Sequence, residues 1–253
     1  MPYFERTSAT TFRPTAAVGG AWNVEEQHVA PALGVLTHVV ELDAAARRGA
    51  EALTPSRLCF DIWGTLPLEE VETRVQVVRP GRTVELVEAQ MLHGGRIAVT
   101  LRAWLLRTGD TAALAGHDLA PLPTELDPWD PTELWPGGFI DSIEVRRRLL
   151  GPGRAQVWVR TEHDLLDEPV SALAATAGLL DVANGMSVRA DPREVAFPNL
   201  DLTAHLVRPP VGGGLGLDSS VSFGPVGLGL TSSVLHDAEG PFGMLAQSLT
   251  VRP

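Results

Sequence analysis

Three polar residues near the carboxyl terminus have the types and spacing to do chemistry. Asp201, Ser222 and Gln247 each sit in a strand-like stretch that is otherwise mostly apolar or glycine: Asn199-Leu-Asp-Leu-Thr-Ala-His-Leu, Leu217-Asp-Ser-Ser-Val-Ser-Phe-Gly and Ala246-Gln-Ser-Leu-Thr-Val. A polar side chain turned toward a core costs free energy unless it is satisfied, so such residues need a reason. A carboxylate, a hydroxyl and an amide around one water can orient it and take its proton as it attacks a carbonyl, which is general-base hydrolysis. Asp201 would be the base, Gln247 would hold the water without adding charge, and Ser222 would be a third hydrogen-bonding group. Backbone N–H groups at a helix amino end suit the developing oxyanion, and Gln27-His28-Val29-Ala30 opens the first helix. Plainer roles compete: Asp201 and Ser222 as turn-flanking residues, Gln247 as a solvated strand residue, His28 as a helix-start residue.

The elements that must position these residues follow from periodicity. Residues 1–24 alternate loosely around Phe4, Phe12 and Trp22 and read as one or two opening strands. Pro31 suits a first helical turn, and Val29, Leu33, Leu36 and Val40 recur at helical spacing, ending near Arg47-Arg48-Gly49. From Leu58 to Arg107 the pattern is that of strands, broken at Leu66-Pro67, Arg79-Pro-Gly-Arg and His93-Gly-Gly. Phe139–Leu150 and Gln156–Arg160 around Gly151-Pro-Gly read as a hairpin. Pro169 opens a predicted second helix that runs through Leu173, Ala177 and Leu180 to Asn184-Gly185, and strands follow to the end.

The two halves echo one another at an offset of 143 to 145: Leu33-Gly-Val-Leu with Ala177-Gly-Leu-Leu, Leu92-His93 with Leu235-His236, Pro80 with Pro225, and Leu106-Arg107 with Val251-Arg252. A repeated unit of strand, long helix and several antiparallel strands predicts an α+β double hotdog, two sheets joined edge to edge, each wrapped around its helix. The expected divisions are residues 1–110, a linker at 111–138, and 139–253 carrying the polar site. Gly34 and Gly178 are expected to let the sheet approach each helix backbone. In this register Asp201 falls opposite Cys59, Ser222 opposite Val77 and Gln247 opposite Ala103, so only one half holds the polar set.

Composition narrows the functions. A net charge of -11 opposes a broad nucleic-acid or anionic-membrane surface, and no uninterrupted apolar run of about 18 residues is present. The single cysteine, Cys59, and the lack of a signal-like amino terminus lead to an expected cytoplasmic location. There is no Gly-x-Ser-x-Gly, no His-Glu-x-x-His, no paired cysteines and no Gly-x-Gly-x-x-Gly opening a helix, so neither a metal nor a redox cofactor is expected. Gly212–Gly214 reads as a loose turn, and Arg146–Arg148 as a solvated strand edge or a diphosphate contact.

Longer stretches resemble the acyl-CoA thioesterase-like proteins of the double-hotdog class, related to the type II acyl-CoA thioesterases. They are Trp22 with Gln27-His28, Phe60-Asp-Ile-Trp-Gly, Val78-Arg-Pro-Gly-Arg-Thr-Val-Glu-Leu-Val-Glu-Ala, Ala183-Asn-Gly, Asn199 with Asp201-Leu-Thr and His205-Leu, Arg208-Pro-Pro, and Gln247-Ser-Leu-Thr-Val-Arg-Pro. The resemblance implies an acyl-CoA substrate, no cofactor, and a water held by Asp201, Ser222 (or Ser220) and Gln247. Val29 and Ala30 stand where similar proteins have Gly-Gly, and Gly214 where they have Trp. These departures motivate an alternative, a non-catalytic acyl-CoA or lipid-binding protein. An enoyl-CoA hydratase ranks lower, for want of an evident Asp–His pair. A homo-oligomer is expected from strand pairing at sheet edges.

Overall fold

The computed structural model describes residues 1–253. The opening strands are β1 (Phe4–Arg6) and β2 (Thr11–Pro14), followed by helix α1 (Val29–Arg48) and then β3 (Thr54–Ile62), β4 (Val71–Arg79), β5 (Val84–His93) and β6 (Arg96–Leu106). The second half holds β7 (Asp127–Trp129), a helical turn α2 (Gly138–Asp141), β8 (Ile143–Gly151) and β9 (Arg154–Thr161). After these come α3 (Ala172–Ala177), α4 (Ala183–Met186), β10 (Asp201–Leu206), β11 (Leu215–Phe223), β12 (Leu228–Asp237) and β13 (Gly240–Thr250). All thirteen strands form one antiparallel sheet in the order β1-β2-β4-β5-β6-β3-β10-β13-β12-β11-β9-β8-β7, the double hotdog. The halves meet at β3 and β10, where Asp61 pairs with Asp201 and Cys59 with Thr203.

The repeat is visible in the ladders. Val75 opposite Ala89 and Val87 opposite Ala103 recur 144 positions on as Ser219 opposite Ser233 and Thr231 opposite Gln247. Even the bulge between Met91 and Leu92 has its counterpart between Leu235 and His236. At this offset Gln247 matches Ala103 as expected, whereas Asp201 matches Arg57 rather than Cys59.

α1 is long and apolar enough by length and composition to cross a membrane, but two-thirds of that stretch is buried inside the protein. His28 caps its start, and Arg47 and Arg48 at its end both bind the buried Glu85 on β5. The second helix departs from the sequence reading. It starts after Ser171, whose hydroxyl accepts the Ala174 N–H, and it breaks into α3, a 3-10 turn at Leu180–Val182, and α4. Gly34 serves helix–helix contact rather than helix–sheet contact: a Cβ there would meet Leu165 Cδ1 at 2.8 Å and the Ala174 carbonyl oxygen at 2.9 Å. Gly178 is less closely approached, a Cβ there coming to 3.3 Å from the Ala175 carbonyl and 3.4 Å from Leu165.

Residues 111–138 contribute a strand, β7, on which Arg147 lies 3.4 Å over the Trp129 ring. Arg146 and Arg148 donate to the carbonyls of Leu126 and Glu125, so this arginine run ties that segment down. The outermost strands, β1 and β7, have three residues each, but β2 pairs with β4 only at Val71 and Glu72 and β7 pairs with β8 only from Val145 to Arg147, so much of both longer strands, β4 and β8, keeps an unpaired edge.

Candidate active site

The three residues singled out in the sequence do not share one face of the sheet. Gln247 lies between Leu245 and Leu249 on the core face and is 1% exposed. Asp201 alternates with the buried Leu202 and Ala204, so it stands on the outer face with Thr203 and His205, its Oδ1 accepting the Ser248 N–H at 2.6 Å. Ser222 is exposed and pairs with Leu230. The expectation of convergence is thus corrected by strand alternation, because a register difference of one residue exchanges faces. Ser220, the other candidate, binds the Ser232 hydroxyl at 3.1 Å. Gln247 is opposite Thr231, which is fully buried, and neither the Gln247 amide atoms nor the Thr231 hydroxyl has a partner within the chain. Gly214 stands beside β11, where a Cβ would meet Arg160 and Val159.

The concave site lies elsewhere, between the amino end of α1 and the broken second helix. It is a cavity of about 320 Å³, walled by residues 20–23 and 26–29, the loop Ile62–Leu66, Trp135, Ile140, Asp181–Met186 without Ala183, and Pro198–Leu200. That size is within the roughly 300–1,000 Å³ typical of small-molecule sites. Its walls are largely apolar: Trp22 packs edge-on against Trp135 at 4.8 Å between centroids, and the Trp135 indole N–H donates to the Gly185 carbonyl at 2.9 Å.

Two ionisable groups face each other there, one from each half. Asp181 sits in the 3-10 turn that interrupts the second helix, and burial raises its carboxyl to about 7 despite the Asn199 amide donating to Oδ1 at 2.7 Å. Its other oxygen, Oδ2, has no hydrogen-bond partner and is not among the sealed polar atoms, so it opens to the cavity. His28 Nδ1 lies 3.9 Å from that oxygen. This is no ion pair near neutrality, because burial also holds the imidazole neutral, lowering it to about 3. The ring packs on Phe139 at 4.3 Å.

The expected cluster of free backbone donors at the start of α1 is also revised. The Gln27 N–H binds the Leu66 carbonyl at 2.8 Å, the His28 N–H binds Val18 at 2.7 Å, and the Ala30 N–H donates to His28 Nδ1 at 3.2 Å, which leaves Val29. Gln27 lines the cavity, but its side-chain amide donates to the Pro67 carbonyl at 2.7 Å and pins the loop after β3. Asp181 escaped the sequence reading because it looks like one polar residue on a helix. Its signal was an acid inside the apolar run Leu179-Leu-Asp-Val-Ala, where burial is the default.

Comparison with known proteins agrees with the fold. In solved structures the chain is similar to a protein assigned as a thioesterase from Novosphingobium aromaticivorans, with 21% identity, 100% of each chain covered and a TM-score of 0.72. It is also similar to a hot dog fold protein of unknown function from Alicyclobacillus acidocaldarius, with 14% identity, 98% and 95% covered and a TM-score of 0.71. A third is an acyl-CoA thioesterase II from Mycobacterium marinum, with 18% identity, 98% and 94% covered and a TM-score of 0.68. No curated protein matches the chain. The family models for the acyl-CoA thioesterase N-terminal and C-terminal domains match residues 18–107 and 118–251, the second alone taking in more than half of the sequence. The chain therefore belongs to the acyl-CoA thioesterase family.

Proposed function

We propose that the protein hydrolyses a fatty acyl-CoA thioester to the free acid and CoA, and that it does so in the cavity between the two halves, with Asp181 as general base. The observation that carries this reading is a buried carboxylate with one oxygen held by Asn199 and the other open to an apolar cavity. In its ionised form Asp181 Oδ2 takes a proton from a water as the water oxygen attacks the thioester carbonyl. Collapse of the tetrahedral intermediate breaks the C–S bond, and the thiolate leaves as CoA, recovering the proton from Asp181. A carboxyl raised to about 7 is a better base than an ordinary aspartate and is still substantially ionised near neutral pH. Trp22, Trp135, Ile140, Val182 and Met186 give the acyl chain an apolar bed.

Asp201, Ser222 and Gln247 make the rival assignment in the same family. Asp201, Ser222 and Gln247 are all absent from the residues that line the cavity, and Asp201 stands on the outer face of the sheet, so the cavity pair is preferred. The test is thiol release from acyl-CoAs of graded chain length, with the acid product identified. Turnover with at least one length supports the reading, whereas tight acyl-CoA binding without release of thiol favours a binding protein.

A further inference from the structure

The start of α1 carries a hydrogen-bond arrangement that goes beyond a cap. His28 is the residue before the first helical turn, and its Nδ1 accepts the Ala30 N–H at 3.2 Å. A nitrogen that accepts from an N–H must present a lone pair, so in the neutral ring the proton is on the other nitrogen, Nε2. Nε2 has no partner in the chain, and it is not among the polar atoms sealed from solvent, so it opens onto the cavity that His28 lines. The helix amino end is thereby presented to the cavity through an imidazole N–H, and the backbone N–H groups of residues 27, 28 and 30 are spent elsewhere.

We propose that His28 is a second catalytic residue, whose Nε2–H donates to the thioester carbonyl oxygen and stabilises the oxyanion while Asp181 directs the water. This rests on the thioesterase reading above and makes the site composite: the base comes from the carboxyl-terminal half and the electrophile from the amino-terminal half. A neutral imidazole suits the task because it supplies a donor without competing with Asp181 for the water proton, and burial keeps it neutral across the working range. The Ala30 N–H on Nδ1 and Phe139 against the ring restrict how the imidazole can turn. A donor whose position is set before substrate arrives is what makes such a bond strong in the transition state.

The discriminating variants are His28→Asn and His28→Ser, since both side chains cap a helix well but neither carries a donor as far as Nε2. The expected result is a kcat lower by about 100- to 1,000-fold, the usual effect of losing one oxyanion donor. KM should change by less than about threefold, the melting temperature should hold, and the acid limb set by Asp181 should remain in the pH profile. A merely structural His28 would move the melting temperature and leave kcat of the folded fraction intact. Wild-type turnover with either folded variant retaining more than about one-fifth of kcat overturns this assignment alone and points to the Val29 N–H. A wild-type protein that releases no CoA from any chain length overturns the thioesterase reading and this one with it.

Discussion

The two halves share a backbone and differ in what they do with it. In the first, α1 runs unbroken for 20 residues, and Thr37 within it turns its hydroxyl back to the Leu33 carbonyl at 2.9 Å. In the second, the position 144 residues on is Asp181, and there the helix has given way to a 3-10 turn. A similar contrast recurs on the sheet, where Val75, Ala89, Val87 and Ala103 are replaced by Ser219, Ser233, Thr231 and Gln247. At these matched positions the regular copy keeps an unbroken helix and apolar strand residues, and the other carries hydroxyl, amide and carboxyl groups. Only the regular copy supplies a long helix whose amino end can be aimed at the cavity. Under the function proposed above, the difference between copies is a division of labour at one shared site, with the base from the second copy and the helix start from the first.

Breaking the contact between the two helices should have a large effect. Gly34→Val puts side-chain atoms against Leu165 and the Ala174 carbonyl, contacts too short to accommodate. Overpacking of this kind costs about 1–3 kcal/mol. The melting temperature is expected to fall by roughly 2–12 °C, at about 2–4 °C per kcal/mol for a chain of this size. Because α3 would be pushed away, acyl-CoA turnover should fall with it.

Asn199→Ala removes the hydrogen bond that favours the ionised form of Asp181. The carboxyl should then rise further, so the acid limb of kcat moves to higher pH, with a loss of about tenfold near neutrality, roughly one charged hydrogen bond's worth. A pH–rate profile of the variant measures it. An unmoved limb would separate Asn199 from the base.

The pH dependence of stability sharpens the same point. Asp181 has a folded-state value near 7, above its ordinary value of 3.8, so the native state holds the proton longer than the unfolded chain. Its contribution is complete below about pH 4 and is lost as the pH rises toward 7. His28 acts in the opposite sense: lowered from 6.5 to about 3, it costs stability as pH falls through that interval. Comparing Asp181→Asn with wild type cancels the histidine, and the advantage of the variant in melting temperature is expected to grow steadily from pH 4 to pH 7.

The smallest effect is expected at Gln247. Its amide is buried with neither atom partnered, and an unsatisfied buried group costs about 1–3 kcal/mol. Gln247→Leu should be neutral or more stable by thermal melting and should keep most activity. Loss of activity would return Gln247 to the rival trio.

Much of the architecture was legible because it is periodic. The bounds of α1, the strands β3–β6, the β8–β9 hairpin and the repeat itself came from apolar spacing and turn residues, which act locally. The break in the second helix did not, since Leu173, Ala177 and Leu180 keep a helical stripe while the close approach of α1 at Gly34 is a tertiary fact. Residue type alone also placed Asp201 and Gln247 together, although their faces are fixed by alternation about buried neighbours that only the strand register supplies. His28 was legible as a helix start, but its role depends on which nitrogen the Ala30 N–H occupies.

Which aspartate is the base is decided by parallel measurement of kcat for Asp181→Asn and Asp201→Asn with one acyl-CoA. Loss of general-base help should lower turnover of the Asp181 variant by about 100- to 10,000-fold, with the Asp201 variant remaining within a few-fold of wild type. The reverse ranking would contradict the composite cavity and move the chemistry to the carboxyl-terminal strands.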